Sequence, residues 1–245
     1  MSLAVIADIH GNLGALRAVL ADLKARGIAH IVNLGDCLYG PLEPAETADV
    51  LMALGIPTVC GNEDRILFQN SSGTSPSPTR AFTLSRLSPA HVAWLRALPA
   101  TLVAGNVYLC HGTPRSDTQY LLHDSTGDGV ALRTLSGIHR ELDGITCPLI
   151  LCGHDHIQQR IRLPDGRLIV NPGSVGLPAY RDDDPPAHVM EAGSPHARYS
   201  IVTGGTGEWN VEEISVGYDW DAASDRARRN GRPDWAAWLR TGRAT

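Results

Sequence analysis

The sequence predicts an α/β protein whose parallel sheet is covered by helices, and three observations carry that prediction. Short apolar runs alternate with segments of helical period through the first 60 residues, the rhythm of strand, helix and strand that builds a parallel sheet. Glycines close the helical segments. The residues able to do chemistry cluster just after the apolar runs, where an open α/β sheet gathers its ligands.

Leu3 to Ala7 reads as the first strand. Leu13, Leu16, Leu20 and Leu23 then recur at helical spacing until Gly27 stops them. Ile31 to Leu34 is a second strand, followed by a helix from Glu43 to Leu54 that starts near Pro44 and ends at Gly55. Pro57 to Cys60 is expected as a third strand. The stretch from Ser71 to Pro78 holds too many breakers for an element and is expected to be a surface loop, with a short helix from Pro89 to Ala97 after it. Val107 to Cys110 and Leu149 to Cys152 are strands, and Pro164, Asp165 and Gly166 turn Arg160 to Leu163 back onto Arg167 to Val170 as a hairpin. Tyr199 to Thr203 and Trp209 to Ser215 flank a turn at Gly204, Gly205, Thr206 and Gly207. Residues 1–218 are expected to form one domain and residues 219–245 a helical tail docked through Trp235 and Trp238, its arginines Arg226, Arg228, Arg229 and Arg232 forming a solvated face among Asp219, Asp221 and Asp225.

Composition narrows the function classes. Of 245 residues 43% are apolar and 19% charged, with 21 Lys+Arg against 26 Asp+Glu for a net charge of -5. Disorder and fibre are excluded, and no apolar run approaches the roughly 18 to 20 residues that span a bilayer. The charge argues against a phosphate-binding surface for nucleic acid. The N-terminus has no basic residue before its apolar run, which Asp8 and His10 interrupt, so a cytoplasmic chain without signal peptide is expected. Five cysteines without a CxxC pair do not suggest disulfides, and Cys60, Cys110 and Cys152 at the ends of apolar runs read as packed thiols.

The strand ends carry the chemistry. In order they present Asp8 and His10, Asp36, Asn62, His111, then His154 and His156. These seven donors are carboxylate, imidazole and amide, the ligand set for Mn, Fe, Zn or a similar divalent ion. Seven exceed one tetrahedral site, and two ions sharing a carboxylate would use them all, as in the clamps that serve in-line attack at phosphorus. Glycines at positions 11, 35, 61, 112 and 153 suit tight turns at those ends.

DIHGN from Asp8, GD at Gly35, GNED from Gly61, HG at His111, GHDH from Gly153 and NPGSVGLP from Asn171 together resemble the calcineurin-like metallophosphoesterase superfamily, in its compact bacterial phosphodiesterase-like branch. The resemblance implies a four-layer αββα sandwich of two mixed β-sheets flanked by helices, with a dinuclear site at the strand ends. It implies Asp8, His10, Asp36 and His156 on one metal and Asp36, Asn62, His111 and His154 on the other, with Asp36 as bridge and a metal-bridging water or hydroxide as nucleophile. The two divalent cations are expected to be Mn, with Fe, Zn, Ni or Mg as alternatives. The implied activity is hydrolysis of a small-molecule or nucleotide phosphodiester. A metal-binding scaffold of little catalytic power is the alternative from another class, and a nuclease the third.

One position departs from that family's pattern, in which many active members have histidine after the third-motif asparagine. Here it is Glu63, a candidate catalytic residue expected beside the metals without ligating them. Its carboxylate would repel phosphate, which favours diesters over the more charged monoesters. Arg115 is the candidate substrate-binding residue, and residues 65–98 and 113–146 are expected to wall the site. Nothing in their spacing lifts Asp117, His123 or Asp124 above surface loop.

Overall fold

A computed structural model describes residues 2–69, 77–126, 129–183, 186–205 and 208–244. Residues 71–76 of the breaker-rich stretch, and Thr206 and Gly207 of the late turn, lie outside the described residues.

The chain begins with β1 (Ser2–Ile6), α1 (Leu13–Ala25), β2 (Ile31–Asn33) and α2 (Pro44–Leu54), followed by α3 (Asn62–Phe68), α4 (Pro78–Arg86) and α5 (Pro89–Ala97). It continues through β3 (Thr101–Ala104), β4 (Val107–Cys110), β5 (His123–Thr126), β6 (Gly129–Leu132), α6 (Leu135–Glu141) and β7 (Leu149–Leu151). Then come β8 (Gln158–Arg162), β9 (Leu168–Pro172), β10 (Ala179–Asp182), β11 (His188–Glu191), β12 (Ala197–Gly205), β13 (Glu208–Val216), α7 (Trp220–Arg229) and α8 (Pro233–Thr241).

Two mixed sheets result, ordered β13-β12-β1-β2 and β3-β4-β7-β9-β8. β1 runs parallel to β2 and antiparallel to β12, while β4, β7 and β9 are mutually parallel. Strand alternation explains the layers. From β1, Leu3 and Val5 point between the sheets to meet Val107, Leu109, Leu149 and Leu151. Ala4 and Ile6 point the other way into a second core with Leu16, Val19 and Leu23 of α1 and Ala48 and Leu51 of α2. Tyr108, Cys110, Ile150 and Cys152 carry the far face of the second sheet, which Ile138 and Leu142 of α6 and its neighbourhood cover. Central strands buried on both faces read as unbroken apolar runs, and the architecture is the αββα sandwich.

Pro57 to Cys60 does not become a strand: it makes one parallel bridge, Asn33 to Thr58, before Cys60 N turns away to donate to Pro99 O at 2.8 Å. α3, α4, α6, β3 and the hairpins β5-β6 and β10-β11 are additions to the sequence reading. α2 starts at Pro44 and stops where Gly55 takes a left-handed φ of 57°, as proline and glycine predict. The tail folds back as α7 and α8, joined by a hydrogen bond from Ser224 Oγ to Ala236 O at 2.7 Å.

Candidate metal centre

Five loops meet at one edge of the sandwich, each leaving a strand or the Thr58 bridge. Among the described residues, the non-glycine residues with left-handed φ are Asp8 (55°), His10 (52°), Asp36 (51°), His154 (74°) and His156 (63°). All five are sequence-predicted ligands. Each such conformation costs about 1–3 kcal/mol, and strain of this kind persists where surrounding contacts over-determine it. Here the backbone is held by Asp8 N to Gly35 O (2.9 Å), His10 N to Asp36 O (3.0 Å), Gly153 N to His111 O (2.7 Å) and Gly176 N to Asp8 O (2.9 Å). Gly61 passes so close to Asp36 that a Cβ there would collide with its Oδ1 and backbone N.

The side chains fall into groups whose donor atoms lie within 4.8 Å of one another: Asp8, His10 and His156; Asp36, His111 and His154; and His10, Asp36 and Glu63. Three imidazoles are oriented from behind. The Nδ1–H of His10 donates to Tyr39 O (3.0 Å), that of His156 to Leu177 O (2.7 Å) and that of His111 to Leu34 O (2.8 Å). In the neutral ring each Nε2 is therefore a lone pair facing the centre. The Nε2 atoms of His10 and His156 face each other at 3.1 Å. His111 Nε2 lies 3.0 Å from Asn62 Oδ1 and 3.3 Å from Asp36 Oδ2. Asp8 Oδ1 is buried without a hydrogen-bond partner, 3.5 Å from His156 Nε2. A buried convergence of acceptors fits cations, because lone pairs turned on one another need positive charge between them.

The charged groups of the site shift one another. Burial would raise the Asp36 carboxyl, but the charge and hydrogen bond of His111, with charge from His10 and His154, hold it below the ordinary range. Burial would lower His10, yet Glu63, Asp36 and Asp8 carry it up to about 9. His111, likewise opposed by burial, rises to about 10 beside Asp36. His154 goes the other way, to about 4, through burial and the positive charge of His111.

Residues 1–192 match the model of the calcineurin-like phosphoesterase superfamily domain. The chain belongs to that superfamily. An uncharacterized protein of Methanocaldococcus jannaschii is 28% identical over 95% of this chain and 94% of its own length. A metallophosphoesterase from Sphaerobacter thermophilus superposes with a TM-score of 0.76 at 25% identity, covering 99% of both chains. A hypothetical protein of Pyrococcus horikoshii OT3 shares the fold, with a TM-score of 0.76 at 21% identity over 100% of this chain and 99% of that one. The phosphoesterase is thus a member of a metal-dependent family of phosphoester hydrolases, and the acceptor-lined edge is where its residues suit metal.

Glu63 and Arg115 are placed differently. Glu63 follows Asn62 at the start of α3, where its N–H donates to Asp36 Oδ1 at 2.9 Å and its Oε2 sits 3.1 Å from His10 Nδ1. It holds the back of a candidate ligand and also lines the cleft. Arg115 is not brought to the site: its guanidinium donates to Glu141 O and Asp143 O, both at 3.1 Å, capping the C-terminal end of α6.

Supporting residues emerge that spacing did not flag. Asp155, between His154 and His156, accepts from Asn171 Nδ2 (2.7 Å) and Ile157 N (3.0 Å) and pairs with His123 Nδ1 (2.8 Å). His123 is thereby part of the scaffold rather than a surface loop residue. Asp64 accepts from Cys37 N (2.9 Å) and Gly61 N (3.3 Å), tying the second loop to the third, while burial and the charge of Asp36 push it up to about 7. Two clefts open on the centre. One, of about 310 Å³, is bounded by Glu63, Tyr180 and the tail residues Arg232, Trp235 and Trp238. The other, of about 390 Å³, is bounded by Thr118, Tyr120, His123 and Arg133. Residues 113–146 thus supply one wall, whereas none of the described residues in 65–98 lines either cleft.

Proposed function

We propose that this phosphoesterase is a phosphodiesterase holding two divalent cations, Asp8, His10 and His156 on one, Asn62, His111 and His154 on the other, and Asp36 shared between them. The observation that carries the diester reading is the pair of clefts, which share Asn62, His154 and Asp182. A diester has a substituent on each side of phosphorus, and volumes of this size suit one substituent each. Cations bound there supply Lewis-acid polarisation of phosphoryl oxygen and a nucleophile from water near neutrality. The chain's own residues do the rest. Tyr39, Leu177 and Leu34 carbonyls fix the imidazoles, so the site needs little rearrangement on binding. Glu63 aims negative charge at the cleft, where burial raises its carboxyl against the opposing pull of His10, and this charge penalises a dianionic monoester more than a diester. Its role is to position His10 and to select, rather than to donate a proton to the leaving group. Purified, Mn-loaded protein offered an aryl diester, the matching monoester and single-stranded DNA should cleave the aryl diester at least about tenfold faster than the monoester, because one unit of opposing charge in a buried site is worth about a factor of ten or more, and faster than the DNA, whose alkoxide is the poorer leaving group. Faster monoester cleavage would overturn the diester reading, and full metal content with no hydrolysis would favour a scaffold.

A further inference from the structure

The superfamily match ends at residue 192, yet α8, far beyond it, forms a wall of the cleft beside the centre. We infer that Trp238, on a platform shared with Arg232 and Trp235, is a specificity-determining residue that stacks on a planar aromatic substituent of the substrate. The inference rests on the phosphodiesterase reading, since the wall selects only if a phosphoester sits at the centre.

Arg232 caps the start of α8, and Trp235 and Trp238 follow it at spacings of three, the two tryptophans on neighbouring turns of the helix. Trp235 is 3% exposed and belongs to the core, its ring packed edge-on with that of His10 at a centroid separation of 5.8 Å. Trp238 lies 6.2 Å from Trp235, is only half-buried and also borders the cleft. Arg232 stacks over Trp235 at 5.5 Å while Asp234 accepts from its Nε (2.9 Å) and Nη2 (2.6 Å). Its charge is matched within the wall, so this face offers flat π surface rather than a free cation. Leu177 and Tyr180 continue the apolar lining.

The platform is pinned. Asn230 Nδ2 donates to Pro41 O (2.8 Å) in the loop between β2 and α2 that carries Asp36, Arg226 pairs with Glu43 (3.1 Å), and Gly193 N donates to Gly242 O (2.9 Å) at the far end of α8. A rigid aromatic surface beside a phosphate-binding centre recognises planar rings by stacking, without reading their hydrogen-bonding edges. The shared chemistry is a ring, from a nucleobase or a simple aryl group.

Calorimetric titration of Mn-loaded protein with AMP, ribose 5-phosphate, phenyl phosphate and methyl phosphate tests this, because each pair differs by its ring. Wild type should bind AMP, phenyl phosphate or both about tenfold tighter than the ringless partner, the size expected of one stacked ring. Which pair shows the preference tells nucleobase from aryl. Trp238→Leu should bring the ratio to within about twofold, and Trp238→Phe should keep most of it, a pattern that loss of packing alone would not produce. Equal affinity for ringed and ringless ligands in wild type, or a ratio unmoved in Trp238→Leu, would overturn the inference while leaving the phosphodiesterase reading standing. Absence of binding by all four would overturn the inference alone, because all four are monoesters and the diester reading is tested by the cleavage assay.

Discussion

The two sides of the cleft are built by different rules. The ligand side consists of loops at strand ends, buried, locally strained and bolted by backbone hydrogen bonds, with five left-handed non-glycine residues. The α8 side is regular helix, unstrained, held from outside by contacts such as Asn230 to Pro41 and Ser224 to Ala236. The first is specified residue by residue, so one atom too many disrupts it. The second is specified by packing, so its chemistry can change while the centre stays intact. A family that keeps its centre and varies its substrates would be expected to vary the second.

The severest way to break this contrast is at Asp36. Asp36→Asn should lower turnover by more than the roughly 10–100-fold that loss of an outer partner costs, and metal analysis should find fewer than two ions per chain. Two ions with normal turnover would remove Asp36 from its shared position. Gly61→Ala comes next. Its Cβ would meet Asp36 Oδ1 and N, whereas one at Gly217, between β13 and α7, meets nothing within 4 Å. Thermal unfolding should therefore show Gly61→Ala less stable by about 1–3 kcal/mol, with metal content reduced, and Gly217→Ala near neutral. Similar losses at the two positions would deny the centre its special rigidity.

The smallest effect concerns Glu63. His10 at about 9 and His111 at about 10 keep their protons at pH 7 in the metal-free chain. Their folded values lie above the ordinary imidazole value, so cations must displace protons, and metal affinity should rise as pH climbs from about 7 toward 10. Titration with Mn in buffers of different ionisation enthalpy measures the release. Glu63→Gln removes the hydrogen-bonding charge that raises His10, so fewer protons should be released at pH 7 and the pH dependence should flatten. Unchanged proton release would mean that Glu63 does not govern His10.

Much of the centre was legible because its signal is local. A strand that ends in Asp-Ile-His or Gly-His-Asp-His places donors within a few residues of a fixed geometric point, and glycines mark where the backbone must pass close. The capped helix α2 and the β8-β9 hairpin are legible for the same reason. Pro57 to Cys60 shows the limit: its β-forming residues do not reveal that Cys60 N bonds to Pro99 rather than to a neighbouring strand. Arg115 shows another, since the carbonyls it caps, at Glu141 and Asp143, lie 26 and 28 residues on.

By itself, then, the sequence determined the α/β class, the order of the strand-end loops and the donor types they carry, because periodicity and turn chemistry act over a few residues. Only the tertiary structure decided that Glu63 backs His10, that Asp155 and His123 brace the last loop, and that a tryptophan-bearing helix more than 200 residues beyond the first loop closes one side of the same cleft. Those contacts join residues distant in the chain, and their partners are chosen by how layers pack and which buried polar atoms remain to be satisfied.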